Sequence, residues 1–127
     1  MKERKALLVI GLTLLFVSGC EKEAAIPEPE PDQRDFHVGL YVCEVKKENR
    51  QTKTLLASYV DTIELVKQGP DRMLVERTKN IQLPELKVWG PNAYIALYTM
   101  ASFDLGQLQI TYGHDSAFYE YRGYKLP

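Results

Sequence analysis

The stretch Gln107-Leu108-Gln109-Ile110-Thr111-Tyr112 decides the fold, because polar and apolar side chains alternate along it without interruption. Successive side chains of an extended chain point to opposite faces, so the apolar residues of this stretch share one face. The pattern is typical of a strand in an antiparallel sheet, with one face buried and the other in solvent.

Further strand patterns lie on both sides of this stretch, separated by turn residues such as Gln68-Gly69-Pro70-Asp71 and Gly113-His114-Asp115-Ser116. Pro84 cannot donate a hydrogen bond to a ladder, so its segment should be an edge, a bulge or partly irregular. The sequence therefore predicts about seven strands, over residues 36–46, 59–67, 73–78, 81–88, 93–103, 107–112 and 117–122.

Short, regularly spaced strands predict an all-β fold, a small antiparallel meander that is either barrel-like or a sandwich. Closure into a barrel removes unpaired edges, which slightly favours the barrel. We expect residues 36–127 to form one β domain with a single core. The formal net charge of the whole chain is −1, so charge gives no reason to expect nucleic acid as a partner.

The first 19 residues differ from the rest of the chain. Lys2, Arg4 and Lys5 give a positive start, and the uncharged run 6–17 is too short for a spanning helix, which needs about 20 apolar residues. In Val17-Ser18-Gly19-Cys20, at the end of this region, the small pair Ser18-Gly19 is followed by the thiol of Cys20. An ordinary secretory signal with an incidental cysteine is the alternative to a lipoprotein signal.

This N-terminus resembles the signal peptide of bacterial lipoproteins. The resemblance implies cleavage between Gly19 and Cys20, and a diacylglycerol on the sulfur of Cys20, usually with a further acyl chain such as palmitate on its amine. Two or more acyl chains anchor a protein durably, so the membrane is an expected partner through the lipid. No other cofactor is expected.

Residues 20–35 predict a disordered tether that follows the lipidated cysteine. Alternating proline and glutamate, as in Pro27-Glu28-Pro29, favour an extended chain that buries little apolar surface. At full extension such a tether reaches roughly 45 Å. Glu21 is not the aspartate that retains many lipoproteins in the inner membrane, so the resemblance favours the outer membrane, on its periplasmic or surface face.

Cys43 is the only cysteine besides Cys20, so it has no partner for an intramolecular disulfide if Cys20 carries lipid. It lies in a predicted strand, which favours a buried core position. An exposed thiol that forms an intermolecular bridge is the alternative.

No residue pattern predicts catalysis or a metal site. His114-Asp115-Ser116 holds the residue types of a catalytic triad, but adjacent residues point in different directions and favour a turn. His37 and His114 are the only histidines, and their spacing fits no known metal motif. We therefore expect a protein that is not an enzyme.

The aromatic residues suggest a possible ligand surface. Tyr119 and Tyr121 share one face of a predicted strand, and Trp89 precedes a Gly-Pro turn. Such rings can stack on sugars or peptides, although packing against neighbouring strands is the more common use.

Residues of the predicted β domain, among them Asp61-Thr62-Ile63 and Gly123-Tyr124-Lys125, resemble the small uncharacterised β-rich lipoproteins of Gram-negative envelopes. Length and lipidation are also similar to the lysozyme-inhibitor lipoproteins, but those typically carry a cysteine pair. The resemblance implies a non-catalytic envelope lipoprotein whose domain binds a protein, peptide or glycan. A lipocalin-like carrier of a small apolar ligand and, less favoured, a hydrolase are the alternatives.

Overall fold

Eight antiparallel strands make up most of the domain in a computed structural model, which describes residues 31–127. They are β1 (Gly39–Asn49), β2 (Leu55–Gln68), β3 (Arg72–Glu76), β4 (Leu86–Gly90), β5 (Ala93–Ala96), β6 (Thr99–Asp104), β7 (Gln107–His114) and β8 (Ala117–Lys125). The predicted signal peptide, the cleavage site at Gly19 and Cys20, and most of the predicted tether lie outside the described residues.

Each strand pairs with the next along the chain, and β8 returns to pair with β1, which closes the sheet into a barrel. Cys43 in β1 is therefore paired with Asp61 on one side and Gly123 on the other. The predicted all-β antiparallel meander is confirmed, and its form is a barrel rather than a sandwich.

The structure has one more strand than predicted because residues 93–103 form a hairpin instead of a single strand. The chain reverses at Leu97 and Tyr98, between β5 and β6, in a segment without glycine, proline or asparagine. Tyr98 adopts the left-handed conformation (φ 54°), which glycine or asparagine would normally supply in such a turn. The sequence therefore held no ordinary signal for this reversal.

The segment around Pro84 is partly irregular, as predicted. Residues 77–85 form a long connection, and β4 begins only at Leu86. β3 and β4 are paired through just two residue pairs, Arg72 with Lys87 and Met73 with Leu86. Leu83, which is 6% exposed, packs into the core from this connection, so the loop fills space that a longer ladder would occupy.

A short 3-10 helix, Gln33–Phe36, lies at the end of the barrel where β1 begins; we call this end the helix end. The compact unit starts at Asp32, and residues 33–36, most of which the sequence assigns to the end of the tether, form this helix. The physical reason is Arg34, whose side chain is buried and fully engaged with the barrel, as described next.

Arg34 holds the helix to the barrel through its Nη1 atom and is itself held by Asp32, the N-cap of the helix. Its Nη1 donates to the carbonyl oxygens of Gly69 (2.9 Å) and Arg72 (2.8 Å), and its Nε and Nη2 donate to the Asp32 carboxylate. Hydrogen bonding to Arg34 holds the pKa of the Asp32 carboxyl well below its usual range. Gln33 adds a hydrogen bond to the Gly90 carbonyl (2.6 Å). These hydrogen bonds hold the helix against this end of the barrel.

Side chains fill the interior of the barrel, following the alternation read from the sequence. Leu108 and Ile110 of β7 are 0% exposed, as the opening stretch predicts. Tyr41, Tyr94 and Tyr121 are the largest of the fully buried side chains. The predicted burial of Cys43 is confirmed.

Gly123 allows β8 to lie close against β1. A Cβ placed on it would lie 2.6 Å from Cys43 Sγ and 2.8 Å from Cys43 Cα, and would also collide with the Val42 carbonyl oxygen. Two of these atoms belong to the backbone and cannot turn away. A side chain at this position is therefore incompatible with the present spacing of the two strands.

We expect Gly123→Ala to lower the free energy of unfolding by about 2–3 kcal/mol, because the added methyl overpacks the β1–β8 contact. Gly90→Ala is the matched control, since its Cβ would meet only Ala93 Cβ at 3.9 Å. The control should stay within about 0.5 kcal/mol of the wild type. Urea denaturation followed by circular dichroism measures both, and equal stability of the two variants would contradict the steric argument.

Candidate functional site

Four connections meet at the end of the barrel opposite the helix, which we call the loop end. They are residues 50–54, residues 77–85, the turn at Leu97 and Tyr98, and the turn at Asp115 and Ser116. A cleft of about 470 Å³ opens between them. All four contribute to its lining, which consists of Arg50, Pro84, Leu97, Tyr98, Tyr112, Gly113, His114 and Asp115.

Backbone hydrogen bonds join the 50–54 connection to the turn at Asp115 and Ser116, and the turn at Leu97 and Tyr98 to the end of β7. The N–H of Gly113 donates to the Tyr98 carbonyl oxygen (3.0 Å), and the N–H of Arg50 donates to the Ser116 carbonyl oxygen (2.8 Å). The Arg50 side chain adds a bond from Nη1 to the Asp115 carbonyl oxygen (3.1 Å). The rim of the cleft is thus tied together rather than built from independent loops.

The cleft presents aromatic and apolar surface to solvent. Leu97 and Tyr98 are 76% and 70% exposed. The rings of Tyr112 and His114 lie nearly parallel, 9° apart, with their centroids separated by 5.9 Å. Exposed rings beside polar groups are typical of sites that bind a ligand through stacking and hydrogen bonds.

No protein-family model, curated protein sequence or solved structure matches the chain. Among residues 31–127, no three His, Cys, Asp or Glu side chains are grouped so as to hold a metal ion. In the same part of the chain, no helix has the length and apolar character needed to cross a membrane.

His114, Asp115 and Ser116 form the turn that the sequence predicts between β7 and β8. His114 Nε2 lies 3.2 Å from Asp115 Oδ2, and both side chains are mostly exposed. His37 lies at the helix end, where its Nδ1 is 2.6 Å from the hydroxyl of Tyr94 and its ring stacks on Phe103. The two histidines therefore do not converge on one site.

The structure does not bring Tyr119, Tyr121 and Trp89 together at one surface. Tyr119 and Tyr121 share a face, as read from the sequence, but that face points into the barrel and leaves them 6% and 0% exposed. Trp89, 65% exposed, lies on β4. Both tyrosines therefore pack inside the barrel, which is the more common use of such rings and the one that the sequence favours.

Sequence reasoning missed Arg50, Leu97 and Tyr98 as site residues. Arg50 lies in a polar loop, where a charged side chain needs no explanation. Leu97 and Tyr98 lie in an apolar run that predicted a strand. Phe118 lies on the same strand as the buried Tyr119 and Tyr121 but on the opposite face. The alternation of the sequence could therefore have predicted that its side chain faces outward.

A small polar group is buried inside the barrel. Asp61, 1% exposed, accepts a hydrogen bond from the Lys79 N–H (2.9 Å) through Oδ2, which fixes the 77–85 connection to the barrel wall. Cys43 faces it across the β1–β2 ladder. Burial and, to a smaller extent, the charge of Asp61 raise the pKa of the Cys43 thiol to about 12. The thiol is therefore a packed core group and a poor nucleophile.

Thiol reactivity tests the burial of Cys43. In Cys20→Ser, where Cys43 is the only thiol, reaction with a disulfide reagent at pH 8 should be about 1,000-fold slower in the native protein than in urea, because the thiolate is scarce and enclosed. Absorbance of the released thiolate follows the reaction. Equal rates in buffer and in urea would show that Cys43 is open to solvent in the folded state.

The pH dependence of stability tests the environment of His37. Burial lowers its pKa in the folded state below the ordinary value of 6.5, so the unfolded state binds this proton more readily. The free energy of unfolding should therefore fall as the pH drops below about 6.5, by at most about 1.4 kcal/mol per pH unit.

Urea denaturation at pH 7.5 and pH 5.5 measures this effect. His37→Gln should reduce the difference between the two pH values, whereas the matched exposed substitution His114→Gln should leave the contribution of His37 in place. A wild-type difference that survives unchanged in His37→Gln would contradict the assignment.

Proposed function

We propose that the protein is a lipid-anchored lipoprotein of the bacterial envelope whose β domain binds a protein, peptide or glycan without catalysis. The observation that carries this proposal is the cleft at the loop end, to which four separate connections contribute side chains. Loops on a rigid scaffold are where binding residues concentrate in small domains.

The two ends of the barrel differ in a way that suits an anchored binding domain. The chain joins the barrel at the helix end, where Arg34 and Gln33 hold the helix in place. The cleft lies at the opposite end, so a tether that is attached at Asp32 does not obstruct the cleft. The acidic, proline-rich residues between Cys20 and Asp32 favour such a tether.

The filled interior favours surface binding over the lipocalin-like alternative. A carrier of a small apolar ligand needs an enclosed cavity lined by apolar side chains. Here Tyr41, Tyr94 and Tyr121 occupy the interior and are at most 2% exposed. The open cleft at the loop end has polar as well as apolar lining, which suits a ligand that remains partly in solvent.

The anchor is tested by metabolic labelling of the full chain in a Gram-negative host with a clickable palmitate. Label should be present in the wild type and in Cys43→Ser, and absent from Cys20→Ser, since only Cys20 offers the acylated sulfur. Label that persists in Cys20→Ser would overturn the lipoprotein assignment. Separation of inner and outer membranes then tests the expected outer-membrane location.

The binding site is tested by hydrogen exchange of the lipidated protein with and without isolated envelope fragments containing peptidoglycan and outer membrane. Amides near Tyr98 and Gly113 should exchange more slowly in the mixture, because a ligand in the cleft covers them. Amides at the helix end near Gly69 and Gly106 serve as the internal control and should be unchanged. Protection confined to the helix end would overturn the assignment of the cleft.

A further inference from the structure

A second cavity adjoins the cleft, and Arg50 lines both of them. The second cavity has a volume of about 360 Å³ and is lined by Glu48, Asn49, Arg50, Lys53 and Phe118. Arg50 therefore stands between two concave surfaces of comparable size. A ligand made of repeated units could place one unit in each and a charged group against the guanidinium.

Arg50 differs from the other arginines of residues 31–127 in its charge partners. Arg34, Arg72, Arg77 and Arg122 each have a carboxylate oxygen within 3.4 Å of a side-chain nitrogen. Within this part of the chain, Arg50 makes no ion pair, and its one side-chain hydrogen bond uses Nη1 alone. The rest of its fork can receive a carboxylate, which an arginine binds through two parallel hydrogen bonds.

The two cavities hold two carboxylates, that of Asp115 in the cleft and that of Glu48 in the adjoining cavity. Among residues 31–127 neither forms an ion pair with Arg50, and Asp115 Oδ2 lies 3.2 Å from His114 Nε2. The guanidinium of Arg50 therefore has no carboxylate partner in either cavity.

Aromatic side chains lie on both sides of Arg50. Phe118 lines the adjoining cavity and is 37% exposed, and Tyr98 with the parallel pair Tyr112 and His114 lines the cleft. Flat ring faces offer contact area to the apolar face of a sugar ring. The guanidinium of Arg50 thus lies between aromatic rings on either side. This arrangement matches an oligosaccharide that carries an acidic group between two sugar rings.

The closed sheet argues against a peptide bound as an additional strand. Such recognition needs an open sheet edge with free backbone groups. β1, β7 and β8, the strands that carry Arg50's neighbours, are each paired on both sides. Recognition at the loop end therefore depends on side chains and not on strand addition.

From this arrangement we infer that the paired cavities around Arg50 bind a carboxylate-bearing oligosaccharide, with the acid on Arg50 and sugar faces on the flanking rings. The inference rests on the proposed function, because it specifies the ligand class of the same cleft. Contact with the ligand then accounts for a tyrosine at position 98, where the backbone has a strained left-handed conformation.

Biolayer interferometry of the lipidated protein in detergent tests the inference with a panel of oligosaccharides that carry uronic, lactyl-ether or sialic carboxylates. Each is paired with its methyl ester, which removes the charge alone. At least one acidic member should bind about tenfold or more tightly than its ester. Arg50→Gln should abolish that preference, whereas Arg122→Gln, on an outward-facing position of β8, should preserve it.

Two further variants separate the role of the Tyr98 ring from its backbone. Tyr98→Asn and Leu105→Asn both replace an exposed apolar side chain at a left-handed turn position, at opposite ends of the barrel. Asparagine tolerates this conformation, so neither should lower the free energy of unfolding. Only Tyr98→Asn should weaken the acidic oligosaccharide, by about three- to tenfold.

Binding of no panel member, or equal binding of acids and esters, overturns the inference. Glutamate-rich peptides in the same assay distinguish failure of the inferred ligand class from failure of the proposed function. If they bind through Arg50 while the saccharides do not, the cleft is a peptide site and only the ligand class is wrong. If hydrogen exchange places envelope ligands away from the loop end, the proposed function fails with it.

Discussion

The organisation of the barrel depends on the hydrogen bonds that the Arg34 guanidinium donates to the carbonyl oxygens of Gly69 and Arg72. The guanidinium joins the helix Gln33–Phe36 to the β2–β3 turn and to the start of β3, elements distant in the chain. A buried guanidinium is stable only when its donors are paired, and removing it would leave the carbonyls of Gly69 and Arg72 without this donor. This contact holds the helix against one end of the barrel, and the cleft lies between the connections at the other end.

The core was predictable because it follows from alternation, a local property of the sequence. The pattern in Gln107–Tyr112 correctly placed Leu108 and Ile110 inside, and the strand containing Cys43 correctly indicated its burial. Alternation also showed that Tyr119 and Tyr121 share a face. It could not show which face of β8 points inward, because that depends on closure with β1.

The features that sequence reasoning missed arise from tertiary contacts. The reversal at Tyr98 is held by a hydrogen bond from Gly113, a residue of a different hairpin. The helix at Gln33–Phe36 lies in a segment whose acidic and proline-rich composition favours disorder, and Arg34 reverses that preference by bonding to carbonyls far along the chain. The candidate site likewise brings together side chains from four connections, so no local motif records it.

The position of the Arg34 contact has a mechanical consequence. Asp32 is both the first residue of the compact unit and the carboxylate partner of Arg34, so tension applied through the preceding chain reaches this ion pair first. Lys67, which lies 3.6 Å from Asp32 and 2.6 Å from Asp35, shares that tension through β2. The Asp32 carboxylate is partly exposed, but the Arg34 guanidinium that ties it to the barrel is buried. The chain is thus fastened at its point of attachment by a buried group, at the end of the barrel away from the cleft.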